Sequence, residues 1–147
     1  MAETRNKPEQ LFYKRIRKSL DAIPNFDHDR IENRVALATP DISFVYGKDG
    51  VGFHGWMELK VYHRTNGLRH FSESQKAWLK NRDMKAGHTF VVIRYVDRIY
   101  CVPGKESYMV RASIREQELE QIPGTYKIDN INDLNSTHWV KWLKSQM

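Results

Sequence analysis

The chain has 147 residues, 40% of them hydrophobic and 12% aromatic, which suits a single domain with a core of its own. Its 24 lysines and arginines against 18 aspartates and glutamates leave a net charge of +6 and a pI near 9.5, the sign expected where the partner is a polyanion. No stretch approaches the roughly 20 apolar residues of a membrane span, the opening "MAETRNKPEQ" lacks an apolar signal core, and the lone Cys101 forms no internal disulfide, so a cytoplasmic protein without membrane association is expected.

In chain order, Leu11, Phe12, Ile16 and Leu20 recur near helical spacing, predicting an amphipathic helix over residues 7–23 that Pro24 ends. "RIENRVAL", "DISFVY" and "GWMELKVY" are strand-like. The second and third are separated by "GKDGVGFHG", whose glycines and Asp49 mark a turn and a short loop, so a three-stranded meander follows. "SESQKAWLKNRDMKAG" reads as a helix with Ser72 at its N-cap and Gly87 at its C-terminal end. "TFVVIRYVDRIYCV" returns to strand and holds Cys101 as a buried thiol rather than a nucleophile. "SIREQELEQI" predicts a short helix, and "STHWVKWLKSQM" a closing helix that docks Trp139, Val140 and Leu143 on the body. Neither a repeat nor a linker divides residues 1–147, which form one domain.

The basic residues are unevenly spread. "YKRIRK", with Lys14 and Arg17, and the stretch 60–85 are basic, whereas "REQELEQ" is acid-rich, so one face is expected to meet phosphates and another is not. Taken alone, "YKRIRK" fits a solvated helix face equally well. No Cys/His pairing has zinc-finger spacing and "YGKDGVGFHG" lacks the Walker spacing, so neither structural zinc nor a nucleotide cofactor is expected.

The third strand carries an acid and a base in its middle. Side chains alternate across a strand, so Glu58 and Lys60 share one face while Met57, Leu59 and Val61 form the opposite, apolar one. A solvated Glu/Lys pair would explain them by themselves. The preceding strand, however, opens with Asp41 directly after Pro40, and a turn between antiparallel strands could bring Asp41 beside Glu58. Two carboxylates beside a lysine suit phosphodiester hydrolysis: hard oxygens hold Mg²⁺, or Mn²⁺, and the lysine orients water or offsets charge on phosphorus.

Pro40-Asp41 followed by Glu58-Leu59-Lys60 resembles the PD-(D/E)xK nuclease superfamily over roughly residues 9–102. That resemblance implies an α/β, restriction-endonuclease-like fold: a helix, a three-stranded antiparallel meander, a helix and further strands, with a mixed central sheet flanked by helices. The wording "RIENRVALATPDISFVY" to "GWMELKVYHRTNGLRHFSESQKAWL" is most similar to small phage-type nucleases, including Holliday-junction resolvases and virus-type replication-repair nucleases, which would act in a host cytoplasm. The family usually adds a third acid, and both Glu9 on the opening helix and Glu32 in "RIEN" match it; first-turn charge and an exposed strand position are their ordinary uses. Gln75 matches a glutamine that some members carry near the site, and it also fits an S-x-x-Q capping box with Ser72. Arg30, His63, Arg64, Arg69 and His70 flank the acids and are candidate phosphate contacts.

The resemblance implies a Mg²⁺-dependent endonuclease acting on branched DNA. A non-catalytic nucleic-acid-binding module and a restriction-like enzyme reading a short sequence are the alternatives. Resolving a junction takes two symmetric cuts, so a homodimer is expected. Trp139, Trp142 and Leu143 are candidates for its interface and, equally, for packing on their own body.

Overall fold

The computed structural model describes residues 7–31, 39–65, 67, 68, 71–85 and 87–147. Helix α1 (Lys7–Asp21) buries Phe12, Ile16 and Leu20, with Pro8 in the first turn, where no intrahelical N–H bond is needed. Its last carbonyls are met by Ile23 N–H, which donates to Leu20 O at 3.1 Å. Asn25, at φ 58°, then turns the chain into β1 (Phe26–Arg30).

β1 pairs antiparallel with β2 (Ile42–Lys48), and β2 with β3 (Val51–His63), the longest strand. The meander was expected, but its first strand was not: it lies ahead of "RIENRVAL", overlaps it at Arg30, and residues 32–38 fall outside the described residues. In "FDHDR" the alternation is carried by charge. Asp27 and Asp29 face outward while Phe26 is buried and His28 and Arg30 are half-buried, a pattern that edge strands tolerate. The predicted loop between the second and third strands is likewise a strand. Asp49 and Gly50 both take positive φ, 55° and 77°, so a two-residue hairpin turn pairs Lys48 directly with Val51.

After the two-residue strand β4 (Gly67–Leu68), which pairs with the end of β3, helix α2 (Glu73–Met84) carries the chain back so that β5 (His88–Tyr95) lies parallel to β3. A tight turn at Val96 leads to β6 (Arg98–Pro103), making a hairpin of what reads as one apolar run. A 3₁₀ turn, helix α3 (Glu116–Gln121), β7 (Tyr126–Ile128) and helix α4 (Ser136–Ser145) complete the order. The mixed sheet runs β1-β2-β3-β5-β6-β7, with β4 beside β3.

Helices cover both faces. On one, Phe12, Ile16 and Leu20 of α1 and Trp139, Trp142 and Leu143 of α4 pack on Phe44, Met57, Leu59, Phe90 and Val92. On the other, Leu79 of α2 and Leu119 of α3 pack on Val91, Ile93, Tyr100 and Val102. Trp139, Trp142 and Leu143 are 0% exposed, so the interface role considered for them is closed: they are the monomer's own core. Truncating either tryptophan would cost about 3–5 kcal/mol. Close packing also explains Gly55, opposite Phe44 on the neighbouring strand, because a Cβ there would stand 2.5 Å from the Phe44 ring.

The acid-rich α3 does not present a negative face to solvent. Glu116 accepts from Arg98 and, at 2.6 Å, from the Tyr100 hydroxyl; Glu120 is bridged by Lys127 at 3.1 Å, and Glu118 by Arg111 at 2.7 Å. The helix is stapled to β6 and β7 by these ions. Among the described residues no helix is long and apolar enough to cross a membrane.

Candidate active site

β2 begins at Ile42, opposite Met57, so beyond Met57 the edge of β3 that faced β2 is left open. Asp41, the residue before β2, fills that gap with its side chain: its Oδ2 accepts the Leu59 N–H at 2.8 Å. Its own carbonyl accepts from Ile31 N at 2.7 Å, which fixes the backbone from the other side. A strand that stops one residue early thus aims a carboxylate at the middle of its neighbour.

Glu58 and Lys60 share the face of β3 that α2 covers, and each is 3% exposed. Their ion pair spans 3.3 Å between Lys60 Nζ and Glu58 Oε2. Asp41 stands beside this pair and adds a second negative charge to the surroundings of Glu58. Burial, the largest cause, together with the charge of Asp41, pushes Glu58 well above the usual carboxylate range, and Lys60 only partly offsets this.

Glu9, in the first turn of α1, belongs to the same electrostatic group. Burial raises its affinity for a proton, a bond to its own backbone and the Lys60 charge oppose this, and the Asp41 charge adds to it. Its Oε2 is buried with no hydrogen-bond partner. Of the two third-acid candidates, Glu9 therefore reaches the field of Asp41 and Lys60, while Glu32 lies outside the described residues.

Among the described residues no three His, Cys, Asp or Glu side chains form a ready-made metal cage. Mg²⁺ does not need one, since one or two carboxylates with waters and substrate phosphate complete its octahedron. The donor set fits: the hard carboxyl groups of Asp41 and Glu58 act on each other electrostatically, and the unpartnered Glu9 oxygen stands in the same field.

The other candidates scatter. Gln75 is the N3 residue of a capping box: its Oε1 accepts from Ser72 N at 2.9 Å and Ser72 Oγ accepts from Gln75 N at 3.1 Å, so its amide oxygen is committed to starting α2. Arg30 places its guanidinium 4.9 Å over the Tyr13 ring. Lys14 and Arg17 are exposed on α1, Arg17 within 3.8 Å of Asp21. His63 ends β3 opposite Gly67, and Arg64 is exposed in the turn that follows, while Arg69 and His70 lie outside the described residues.

The sequence reading missed Lys76. This α2 lysine is 7% exposed, and its Nζ stands 5.2 Å from the centre of the Phe71 ring, beside which Lys60 Nζ stands at 5.3 Å. The signal was available: Lys76 precedes Leu79 by three residues and so lies on the buried stripe of the helix.

No family model matches the sequence, and the comparison with curated proteins found no match. Among solved structures, the chain is similar to Hjc, a Holliday junction resolvase from the archaeal hyperthermophile Archaeoglobus fulgidus. The likeness has 15% identity and a TM-score of 0.48 and covers 76% of this chain and 88% of that one. The element order and strand pairing described above, a helix, three antiparallel strands, a second helix and a strand parallel to the third, in a mixed sheet flanked by helices, are those implied by the PD-(D/E)xK resemblance.

Proposed function

We propose that the chain is a divalent-cation-dependent DNA endonuclease that cuts branched DNA. The observation that carries this reading is the convergence of three side chains at the point where β2 gives way along β3: Asp41 on the Leu59 N–H at 2.8 Å, and the buried Glu58 with Lys60 at 3.3 Å on either side of Leu59. A structural ion pair would need one acid; a second acid beside the buried pair raises the cost of burying Glu58.

Asp41 and Glu58 would hold the cation, with Glu9 behind them. Bound there, Mg²⁺ or Mn²⁺ would polarise the scissile phosphate and lower the pKa of an attacking water. Lys60, anchored on a strand buried on both faces, offers its ammonium to that water or to the phosphoryl oxygen on which charge grows. The net charge of +6 and the exposed Lys14, Arg17 and Arg64 suit a phosphate backbone. Two chains would place two such centres for paired cuts, and the interface would lie outside the C-terminal tryptophans.

The test is cleavage of a four-way junction, a flap and a linear duplex side by side with Mg²⁺, using wild type and Asp41→Asn, with light scattering on the same samples. Asparagine keeps an oxygen for the Leu59 N–H, so the variant should fold and bind DNA but not cut. Asp41→Asn cleaving near the wild-type rate would sink the nuclease assignment. Equal cutting of junction and duplex by a strict monomer would leave the chemistry and remove the branched substrate. Binding without cleavage by wild type would favour the non-catalytic module.

A further inference from the structure

Along the α2-covered face of β3 the residues two and four positions before Glu58 are Trp56 and His54. Their rings stand 4.3 Å apart between centroids. α2 runs back alongside β3, so that Phe71, just before the helix, reaches Lys60 while Trp78 reaches Trp56, with ring centroids 5.5 Å apart. Arg82, one helical turn beyond, lays its guanidinium 4.2 Å from the Trp78 ring centre and 5.4 Å from that of Trp56. His54 and Arg82 are exposed, and both tryptophans are half-buried. Two tryptophans, an imidazole and a guanidinium therefore form one open cluster. It is continuous with the acids, and Trp56 stands about 7 Å along the strand from Glu58, two residues of strand rise.

We propose that this cluster is a stacking platform for an unpaired DNA base, seated one nucleotide from the phosphate that a cation held by the acids would engage. The proposal rests on the nuclease reading and names what that site selects. Aromatic faces stack on any base, and a guanidinium over the ring both adds cation–π attraction and supplies positive charge toward the adjoining phosphate. A base inside a duplex cannot reach such a platform without being unstacked, at a cost of a few kcal/mol. DNA that already exposes a base, at a branch, flap or bulge, avoids that cost. Shape selectivity would thus arise from a surface next to the chemistry, with no separate recognition domain.

The experiment measures binding in chelator, so that it does not depend on cleavage. The probes are a perfect duplex and the same duplex with a single unpaired 2-aminopurine, followed by anisotropy and by quenching of the 2-aminopurine fluorescence. The proteins are wild type, Trp56→Ala, Trp78→Ala and Trp78→Phe. Each alanine variant should lose roughly tenfold or more in affinity for the bulged DNA and lose the quenching, with duplex affinity changed less than twofold. Trp78→Phe, which preserves the packing ring if alanine unsettles α2, should retain most of both. Equal losses on the two DNAs, or full quenching in both alanine variants, would overturn the platform. An inactive protein that still quenches the probe would refute only the nuclease reading, and an active nuclease with no quenching would refute only the platform.

Discussion

At the scale of single residues, the site is defined by where a proton sits. Glu58 has its proton affinity raised by burial and by Asp41, so the native chain holds a proton at pH values where the unfolded chain, with its ordinary value of 4.5, has lost it. Native binding of the extra proton means that stability falls as pH rises from about 4.5 through the raised native value. Glu58→Gln removes that titration while keeping the shape. In chelator, the wild-type minus variant difference in urea stability should therefore grow more negative with rising pH, and a difference independent of pH would show that Glu58 is ionised throughout. Lys60 gives a second prediction. Lys60→Ala should lower turnover by about 10²–10³, the usual cost of one preorganised donor, yet leave Mn²⁺ binding detectable by calorimetry, since the oxygens remain. Loss of Mn²⁺ binding with the lysine would make its role that of holding the acids apart.

At the scale of elements, ion pairs add to the apolar packing of Leu119 in fixing α3 to the sheet. Glu116 takes a two-pronged bond from Arg98 and the hydroxyl of Tyr100, and Arg98 first and Tyr100 next hold its pKa below the ordinary 4.5. Glu116→Gln should cost about 1–2 kcal/mol at pH 7, allowing for the partial exposure of the pair. Because the native acid is the stronger one, this contribution is present above pH 4.5 and disappears as pH falls through the native value. Urea melts taken at falling pH below 4.5 should show the gap between the two proteins narrow from its pH 7 value. This network was invisible in the sequence, where "REQELEQ" reads as a negative face; its partners Arg98, Tyr100 and Lys127 come from two other strands. The elements themselves were legible wherever local chemistry agreed with the fold, as at Asp49-Gly50, at Ser72 with Gln75, and in the period-two pattern of Glu58 and Lys60. β1 was not, because aspartate at two of five positions hides an edge strand. Nor could the sequence choose between Glu9 and Glu32, since that choice depends on where α1 crosses β3.

At the scale of the whole molecule, the net charge of +6 makes a prediction for the proposed binding of DNA. Contacts with phosphate release counterions, so binding of duplex in chelator should weaken steeply with salt. Arg64→Ala and Lys14→Ala should each make the slope of log affinity against log salt shallower by about one. Unchanged slopes in both would put the DNA on another face. The stacking variants should leave this slope alone, which separates phosphate contact from base contact within one data set.

The burial of α4 against α1 also bears on the order in which the molecule comes into being. Trp139 donates its indole N–H to Ser19 Oγ at 2.8 Å across 120 residues of chain. During synthesis at roughly 5–20 residues per second, α1 waits about 6–24 s before that partner exists, its apolar stripe covered on one side only. Glu9 rides on α1 and takes its bearing from it. A ribosome-bound chain can therefore carry Asp41, Glu58 and Lys60 on its meander while Glu9 rides on a helix that still lacks Trp139 and its bond to Ser19, so the group of side chains around Lys60 takes its final form only once α4 has been made.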